Sequence, residues 1–535
     1  MGIFAIVALL VAGLFSWAPG DRDEPPAPPA VALRPGAGGG LVLGVTHAQY
    51  SLDSWLTPGQ RESGEQILGA TPMLQNQHIM GFGVGNPEPV PGRYDWSRLD
   101  ERMDLIGRTG GTPVITLCCA PDWMKGGATG TTNWDDLAAA PLRAHFADFA
   151  RLSAVVAQRY PQVRYFQVWN ELKGFWDSAK GRWDQEGYTD LYNQVYDAVK
   201  KVRPDALIGG PYVVINTWSS AEATDHPSEL RGPYGVVDQR SLDVVEYWNE
   251  HKHGADFVAL DASTATRDKG LITTPDRASQ IYSDATRWAR GVTGLPVWWS
   301  EFYPDAAPPA DQPGAPAKSS PPATSTAPAA SSTPTTTTAP TPSGGPTPSG
   351  EPTRAGEPTS TTPTTTGEPT TTTAPAATTG TPKPATATKS SAPTTTKTSP
   401  PTTTPSGQAP DNAVPVDQAR AVATLDAVAR AADAGAAAML LWQPEASDDL
   451  PYAALWSQAR AGSDVLRPTS LTAAWTWLAP RLRDGLVDVH RKPADLVQFV
   501  APQGNVTINP QPRAAPLRRG GLSVTVPPLA ILLPG

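Results

Sequence analysis

Eight short apolar segments alternate with amphipathic helical patterns along this chain, and that alternation restricts the fold more than any other feature. Strands that alternate with helices are typical of parallel sheets. Eight such strands predict an α/β fold closed into a (β/α)8 TIM barrel rather than an open sheet. The predicted strands are Leu41–Ala48, His78–Gly85, Thr112–Ala120, Val163–Glu171, Ala206–Val214, Ala255–Ala262, Leu295–Glu301 and Ala436–Gln443. The helical patterns are Arg98–Gly110, Leu142–Tyr160, Tyr188–Val202, Ser241–Gly254, Arg277–Gly291, Val416–Gly435 and Leu471–Leu482.

One long tract of low complexity interrupts the alternation. Residues 305–413 are mostly Thr, Pro, Ser and Ala and include no aromatic residue. Such a segment buries too little apolar surface to offset the conformational entropy lost on ordering, so it is predicted to be a disordered insertion. The tract follows the seventh strand, which places it in a loop on the face where such barrels carry their active sites. Thr/Pro tracts on exported proteins are often O-glycosylated stalks. The barrel is therefore predicted in two parts, 41–304 and 414–486, with a small β appendage at 487–535.

The amino-terminal segment predicts export. Residues Ile3–Phe15 form an apolar run of the size found in signal peptides, so residues 1–20 are interpreted as a signal peptide or a membrane anchor. Residues 21–40 are rich in Pro and Gly and predict a linker. We therefore expect an extracellular or cell-surface location, and membrane anchoring through this segment is one of the two alternatives.

Composition and charge exclude several classes of function. A net charge of −9 and the lack of Lys/Arg clusters argue against a nucleic-acid partner. The two cysteines, Cys118 and Cys119, are neighbours in a predicted strand, where side chains point to opposite faces. We therefore expect no disulfide between them, and we interpret both as small buried hydrophobic residues. No spacing of His or Cys matches a metal site, so no metal is predicted.

Two glutamates end predicted strands that face each other across the barrel. Glu171 ends the fourth strand and Glu301 ends the seventh. Cleavage of a glycosidic bond needs one carboxylic acid and one carboxylate, about 5 to 5.5 Å apart where the configuration is retained. Strict alternation along each strand predicts that Trp169 and Trp299 share a face with these glutamates and form an indole-lined floor. The pair therefore predicts a glycosidase site.

The motifs around these residues resemble clan A glycoside hydrolases. They are "WNE" after the fourth strand, "WWSE" at the seventh, and Trp442 at the end of the eighth. The stretch from Gly92 to Met124 further resembles family 39, the group of β-xylosidases and α-L-iduronidases. The resemblance implies that Glu171 is the acid/base, Glu301 the nucleophile, and Asn170 the contact to the 2-hydroxyl of the sugar.

The chain also departs from the pattern of that family. It continues "NEL" where clan members usually have "NEP", and Asp261 stands where a His-x-Tyr is expected at the end of the sixth strand. These departures concern the identity of the bound sugar rather than the mechanism.

Further candidates for sugar contacts follow strand ends. His47 ends the first strand and either binds sugar or is satisfied by the backbone. Trp123 follows the third strand, Trp176 lies in the loop after the fourth, and Trp442 ends the eighth. Flat indole rings commonly stack on the apolar faces of sugars, although most Trp residues in a protein are core residues.

The sequence as a whole predicts an exported retaining glycoside hydrolase, β-xylosidase-like, that acts on a carbohydrate partner without a cofactor. Two alternatives stay open. One is a transglycosidase on the same site, and the other is a catalytically inactive carbohydrate-binding barrel on a cell-surface stalk. Neither the sugar nor the oligomeric state follows from the residues.

Overall fold

The structure is a computed structural model, and it describes residues 40–49, 51–53, 55–271, 275–304, 416–446, 453–460, 462–491, 495–519 and 522–534. The predicted signal segment, nearly all of the predicted linker and the Thr/Pro-rich insertion lie outside these residues. The fold described below concerns the barrel and the appendage that follows it.

Eight parallel strands close into a barrel in chain order, with the first strand hydrogen-bonded to the eighth. This confirms the predicted (β/α)8 TIM barrel. The strands are β1 Val42–Thr46, β2 Leu74–His78, β3 Thr112–Leu117, β4 Tyr165–Val168, β5 Leu207–Val214, β6 Phe257–Ser263, β7 Val297–Tyr303 and β8 Ala438–Trp442. Short strand pairs in the loops are Trp176–Asp177 with Arg182–Trp183, Ala265–Thr266 with Gly270–Leu271, and the sheet of Thr217–Trp218, Gly235–Asp238 and Pro227–Gly232.

A helix follows each strand of the barrel. The helices are α1 Pro58–Gly69, α2 Ser97–Arg108, α3 Phe146–Arg159, α4 Gln185–Val202, α5 Gln239–His251, α6 Gln280–Thr293, α7 Val416–Ala434 and α8 Thr472–Arg483. Shorter helical turns are Asp122–Lys125, Trp134–Asp136, Arg143–His145, Ala221–Ala223 and Pro275–Ala278. Within the described ranges, none of the helices combines the length and the apolar character needed to cross a membrane.

The second strand lies earlier than the sequence predicts. It is Leu74–His78, whereas residues 79–85 form turns. Four of the five side chains in this strand are polar, and all five residues are buried. Hydrophobic periodicity could not reveal a strand of this composition, because polar side chains such as Gln75 and Asn76 make hydrogen bonds with other buried polar groups rather than apolar contacts.

The helix after the first strand is likewise absent from the sequence prediction. Helix α1 begins with Pro58 at its first turn, and the Thr57 side chain accepts a hydrogen bond from the Gln60 backbone N–H. The Gln60 side chain in turn accepts one from the backbone N–H of Thr57, which completes a capping box. The capping box and Pro58 mark where this helix begins, whereas its apolar stripe is too weak to reveal it in the sequence.

The barrel interior has an apolar layer below a polar one. In the apolar layer the Trp298 ring stacks on Phe257, with centroids 4.2 Å apart. Above it, buried polar side chains from five strands form a chain of hydrogen bonds that joins Ser300, Gln167, Thr116, Asn76 and Thr46. Because each member is partnered, this network holds the strand ends in a fixed arrangement beneath the mouth.

Cys118 and Cys119 form a disulfide, which corrects the prediction that they would not pair. The prediction assumed that both lie in a strand and point to opposite faces. Strand β3 ends at Leu117, so alternation no longer applies to the two residues that follow. Both residues are buried, as predicted.

The carboxyl-terminal residues form the small β appendage that the sequence predicts. Its strands are β9 Asp488–Arg491, β10 Val497–Ala501, β11 Gly504–Ile508, β12 Ala515–Arg519, β13 Leu522–Val526 and β14 Ile531–Leu532. Strands β9, β10, β11 and β14 form an antiparallel sheet, and β12 and β13 form a separate hairpin. The appendage packs against helix α7, where Arg491 donates a hydrogen bond of 3.0 Å to the buried Asp426 carboxylate. The appendage shares the hydrophobic core of the helix layer.

Candidate active site

Glu171, Asp261 and Glu301 meet at the mouth of the barrel. Carboxylate oxygens of the three residues lie within 4.8 Å of one another. Asp261 and Glu301 belong to the neighbouring strands β6 and β7, where they are register partners, and Glu171 follows β4. The structure therefore brings together the two glutamates named from the sequence and adds a third carboxylate.

Local backbone irregularities direct these side chains. Strand β4 ends at Val168, and Trp169, Glu171 and Leu172 then adopt positive φ values of 69°, 51° and 49°. The pairing of β7 with both neighbouring strands shifts register near Glu301. Residues with side chains adopt positive φ only where the surrounding structure holds them there, which is common at functional sites.

The predicted indole floor is wrong for the same reason. Trp169 packs edge-on against Phe149 of helix α3, and its indole N–H donates to the Lys173 carbonyl oxygen. Trp299 donates its indole N–H to the Thr286 hydroxyl of helix α6. Both rings therefore belong to the layer between strands and helices, since the turn after β4 and the register shift in β7 break the strict alternation on which the prediction depended.

Tyr212 supports Glu301. Its hydroxyl donates a hydrogen bond of 2.6 Å to Glu301 Oε1, and both residues are buried. Burial, followed by the nearby carboxylates of Glu301 and Asp261, raises the pKa of Tyr212 well above its ordinary value. The phenol therefore stays a hydrogen-bond donor at neutral pH, and it stabilises the ionised form of Glu301.

Lys173 supports Glu171. Its ammonium lies 3.0 Å from Glu171 Oε1 in an ion pair at the edge of the mouth. Burial alone would lower the pKa of Lys173, but the carboxylates of Glu171, Glu301 and Asp261 outweigh it and raise that pKa. Lys173 is therefore a permanent positive charge beside the three carboxylates.

The pKa values of the two buried carboxyl groups, Glu301 and Asp261, are raised. The pKa of Glu301 is raised to about 8. Desolvation is the largest cause and repulsion by Glu171 the next, while Lys173 and the Tyr212 hydroxyl lower this pKa. Desolvation, followed by repulsion from Glu171 and Glu301, raises the pKa of Asp261 well above its usual range. Burial and mutual repulsion disfavour the ionised forms, so Glu301 and Asp261 hold protons at pH values where exposed carboxyls have lost them.

Two neutral imidazoles and an amide are buried at the ends of strands β1, β2 and β4. Burial lowers the pKa of both His47 and His78 to about 3, so neither carries a charge at neutral pH. His47 Nε2 lies 3.0 Å from the Gln75 side-chain oxygen, which is a side-chain contact rather than the backbone contact considered from the sequence. Asn170 is buried directly before Glu171 and interacts with His78.

The three tryptophans named from the sequence have different surroundings. Trp123 is buried, and its indole N–H donates to the Glu88 carbonyl oxygen. Trp442 ends β8 half-buried and meets Phe82 edge to face at 6.0 Å between centroids. Trp176 is 36% exposed, contacts Trp183 edge to face, and lies under the Arg240 guanidinium. Of the three rings, Trp176 is the most accessible to a ligand.

Tyr212, Lys173 and His78 belong to the site, although none of them was predicted from the sequence. Tyr212 lies near the end of a predicted strand, and Lys173 is two residues after Glu171, so position relative to the strand ends could have suggested both. Asp261 was noticed as a departure from a family pattern, without a role. Nothing in the sequence marked His78 as a strand end, because the second strand was misplaced.

Comparisons with known proteins found matches among solved structures. No protein-family model matches the chain, and no curated protein matches it. Matching solved structures include a monomeric β-xylosidase from Caulobacter crescentus CB15, with 20% identity, a TM-score of 0.32, and 50% of this chain and 53% of that chain covered. The GH39 enzyme from Xanthomonas axonopodis pv. citri has 20% identity and a TM-score of 0.33, with 51% and 52% covered.

A third matching structure, SrfJ from Salmonella typhimurium, has 12% identity and a TM-score of 0.48, with 92% of this chain and 88% of that chain covered. The chain spans about half the length of the first two structures. All three TM-scores are below 0.5, and the resemblance to family 39 stays a prediction.

Proposed function

We propose that this protein is a retaining glycoside hydrolase in which Glu171 and Glu301 perform a double displacement. The observation that carries the proposal is the pair of carboxylates at the ends of β4 and β7, with oxygens within 4.8 Å of each other. Inverting enzymes leave about 6.5 to 9.5 Å between the two groups to admit a water molecule. The closer spacing supports direct attack by one carboxylate on the sugar.

The proposed reaction has two steps. Glu171 donates a proton to the leaving glycosidic oxygen while a Glu301 oxygen forms a bond to the anomeric carbon, which releases the first product as an alcohol. Glu171, now ionised, takes a proton from water as that water attacks the anomeric carbon and displaces Glu301. Tyr212 holds Glu301 in place and stabilises its charge when the carboxylate departs.

Proton distribution is the demanding part of this mechanism. In the unliganded site Lys173 pairs with Glu171, while burial favours the protonated form of Glu301. The first step needs the opposite arrangement, a proton on Glu171 and a charge on Glu301. Because the two groups are within 4.8 Å, substrate binding that moves one proton across the trio suffices to prepare the site.

The test is hydrolysis of aryl glycosides by the parent protein and its Glu171→Ala and Glu301→Ala variants. The panel holds α- and β-linked xyloside, arabinoside, glucoside, galactoside, glucuronide and 2-amino-2-deoxyglucoside. We expect release by the parent with retained configuration, loss in both variants, and rescue by azide in the Glu171 variant with a β-glycosyl azide as product. A glycosyl azide of retained configuration from the Glu301 variant, in place of one of inverted configuration, would reverse the two roles. Equal background from all three proteins, together with glycan binding, would indicate a carbohydrate-binding barrel.

We further propose that the protein acts outside the cytoplasm on a poly- or oligosaccharide. The support is the apolar segment Ile3–Phe15 and the Thr/Pro-rich tract, both features of exported surface proteins. Cell fractionation and protease shaving of intact cells, with and without residues 1–20, test this location. Retention of the intact chain in the cytoplasm would contradict it.

A further inference from the structure

Of the three carboxyl groups at the barrel mouth, two have a side-chain partner and one has none in the described part of the chain. Glu171 pairs with the Lys173 ammonium at 3.0 Å, and Glu301 accepts a hydrogen bond of 2.6 Å from Tyr212. Among the residues that the structure describes, Asp261 has no such partner: neither of its carboxyl oxygens is hydrogen-bonded to any of them, although the residue is 0% exposed. A buried carboxyl without a partner costs free energy, so this side chain is built for a group that the protein does not itself supply.

The place of Asp261 restricts what that group can be. Its oxygen lies within 4.8 Å of both glutamates that would flank the anomeric carbon of a bound sugar. The ring atoms bonded to the anomeric carbon are C2 and the ring oxygen, and only C2 carries a substituent. The C2 substituent of the sugar whose bond is cleaved is therefore the group we assign to Asp261, beside Asn170, to which the family resemblance gives a contact with the same substituent.

Charge indicates the chemistry of this substituent. One ammonium, that of Lys173, faces three carboxyl groups, so full ionisation of the trio would leave a formal charge of −2, which burial resists by holding protons on Glu301 and Asp261. An ammonium on C2 would neutralise one of these charges and donate up to three hydrogen bonds. A hydroxyl or an N-acetyl group brings no charge, and a uronic acid would be repelled by the trio.

We propose that the substrate is a 2-amino-2-deoxy sugar with a free amino group, whose ammonium binds the carboxylate of Asp261. The proposal deepens the glycosidase function above and rests on it. A divalent cation is the competing occupant of a carboxylate trio, but the Lys173 ammonium, which already occupies Glu171, opposes it electrostatically.

The experiment compares C2 substituents on otherwise identical substrates. Aryl β-glycosides and oligosaccharides of the gluco and galacto series, with C2 bearing a free amine, an N-acetylated amine or a hydroxyl, are assayed with the parent, Asp261→Asn and Asp426→Asn. Asp426 is a matched control, since it is a buried carboxylate paired with Arg430 and Arg491 on helix α7, away from the mouth. Binding of the same oligosaccharides to Glu301→Gln, with and without the additional change Asp261→Asn, is measured by calorimetry.

We expect kcat/KM for the free amine to exceed that for the hydroxyl roughly 10- to 100-fold, the range of a charged hydrogen bond. The ratio should fall toward one in Asp261→Asn and persist in Asp426→Asn. Cleavage of the hydroxyl substrates that depends on Glu301 but shows no amine preference would overturn the amino-sugar proposal and keep the glycosidase. The same holds for an amine preference that survives in Asp261→Asn, and for cleavage abolished by a chelator and restored by Ca²⁺ or Mg²⁺.

Binding separates the remaining outcomes. Amino-sugar binding that depends on Asp261, without cleavage by the parent, would support the ammonium site and overturn the glycosidase. Absence of both binding and cleavage for every amino sugar overturns the proposal.

Discussion

The Tyr212 hydroxyl donates a hydrogen bond of 2.6 Å to Glu301 Oε1, and this contact joins the fifth strand of the barrel to the seventh. Strand β6 lies between these two strands and contributes Asp261 to the same site. Three consecutive strands thus deliver a phenol and two carboxyl groups to one small volume, although Tyr212 and Asp261 are 49 positions apart along the chain and Asp261 and Glu301 are 40 apart.

Replacement of Tyr212 by Phe should impair the chemical step without unfolding the protein. The variant keeps the ring and loses the donor to Glu301, so we expect kcat/KM to fall roughly 10- to 100-fold. Because Tyr212 also lowers the pKa of Glu301, the acidic limb of the pH profile should move to higher pH. The control is Tyr192→Phe, which removes a hydrogen bond to the Gly254 carbonyl oxygen in the helix layer. Equal loss of activity in both variants would contradict the role assigned to Tyr212.

Glu301→Gln should alter the pH dependence of stability. The folded protein keeps a proton on Glu301 up to about pH 8, whereas the unfolded chain loses it near 4.5. The folded state therefore binds more protons in this window, so the free energy of unfolding of the parent falls as the pH rises through it. Gln does not titrate, so the variant should gain on the order of a few kcal/mol over the parent between the two ends of the window. Denaturant unfolding at both ends measures this, and parallel pH profiles for the two proteins would refute it.

Lys173→Met should shift activity to higher pH. The ammonium of Lys173 lowers the pKa of Glu301, so its removal raises that pKa further and leaves less of the ionised nucleophile at neutral pH. We expect kcat/KM at neutral pH to fall about tenfold or more and to recover in part in alkaline buffer. Lys180→Met is the control, because Lys180 pairs with Asp177 on the surface. A uniform loss at every pH would show that Lys173 acts only by packing.

Arg102→Met should destabilise the barrel far more than Arg98→Met, although both residues pair with Asp53. The Arg102 side chain is 5% exposed and lies 2.8 Å from Asp53, whereas Arg98 is 36% exposed at 3.2 Å. Loss of the buried partner leaves Asp53 inadequately neutralised, at a cost of about 3 to 5 kcal/mol. Loss of the exposed partner should cost less than about 1 kcal/mol. Chemical denaturation of the two variants measures both values, and equal losses would contradict this ranking.

Much of the barrel could be predicted because burial on both faces leaves a local signal. Seven of the eight strands lie where apolar runs such as Ala206–Val214 placed them, since parallel strands packed on both sides require continuous apolar residues. The second strand escaped prediction because Gln75, Asn76, Gln77 and His78 are buried polar residues. Whether such residues face solvent or a hydrogen-bonding network depends on neighbours distant in the chain.

The sequence by itself determined where seven of the eight strands lie, and therefore that Glu171 and Glu301 belong near the mouth of the barrel. Only the tertiary structure decided what surrounds them. Barrel closure brings Tyr212, Asp261 and Lys173 to the glutamates, while a turn after β4 and a register shift in β7 turn Trp169 and Trp299 away. The physical reason is that strand position is encoded by local hydrophobic pattern. Side-chain direction at a strand end depends on backbone irregularities that the packing of the whole barrel imposes.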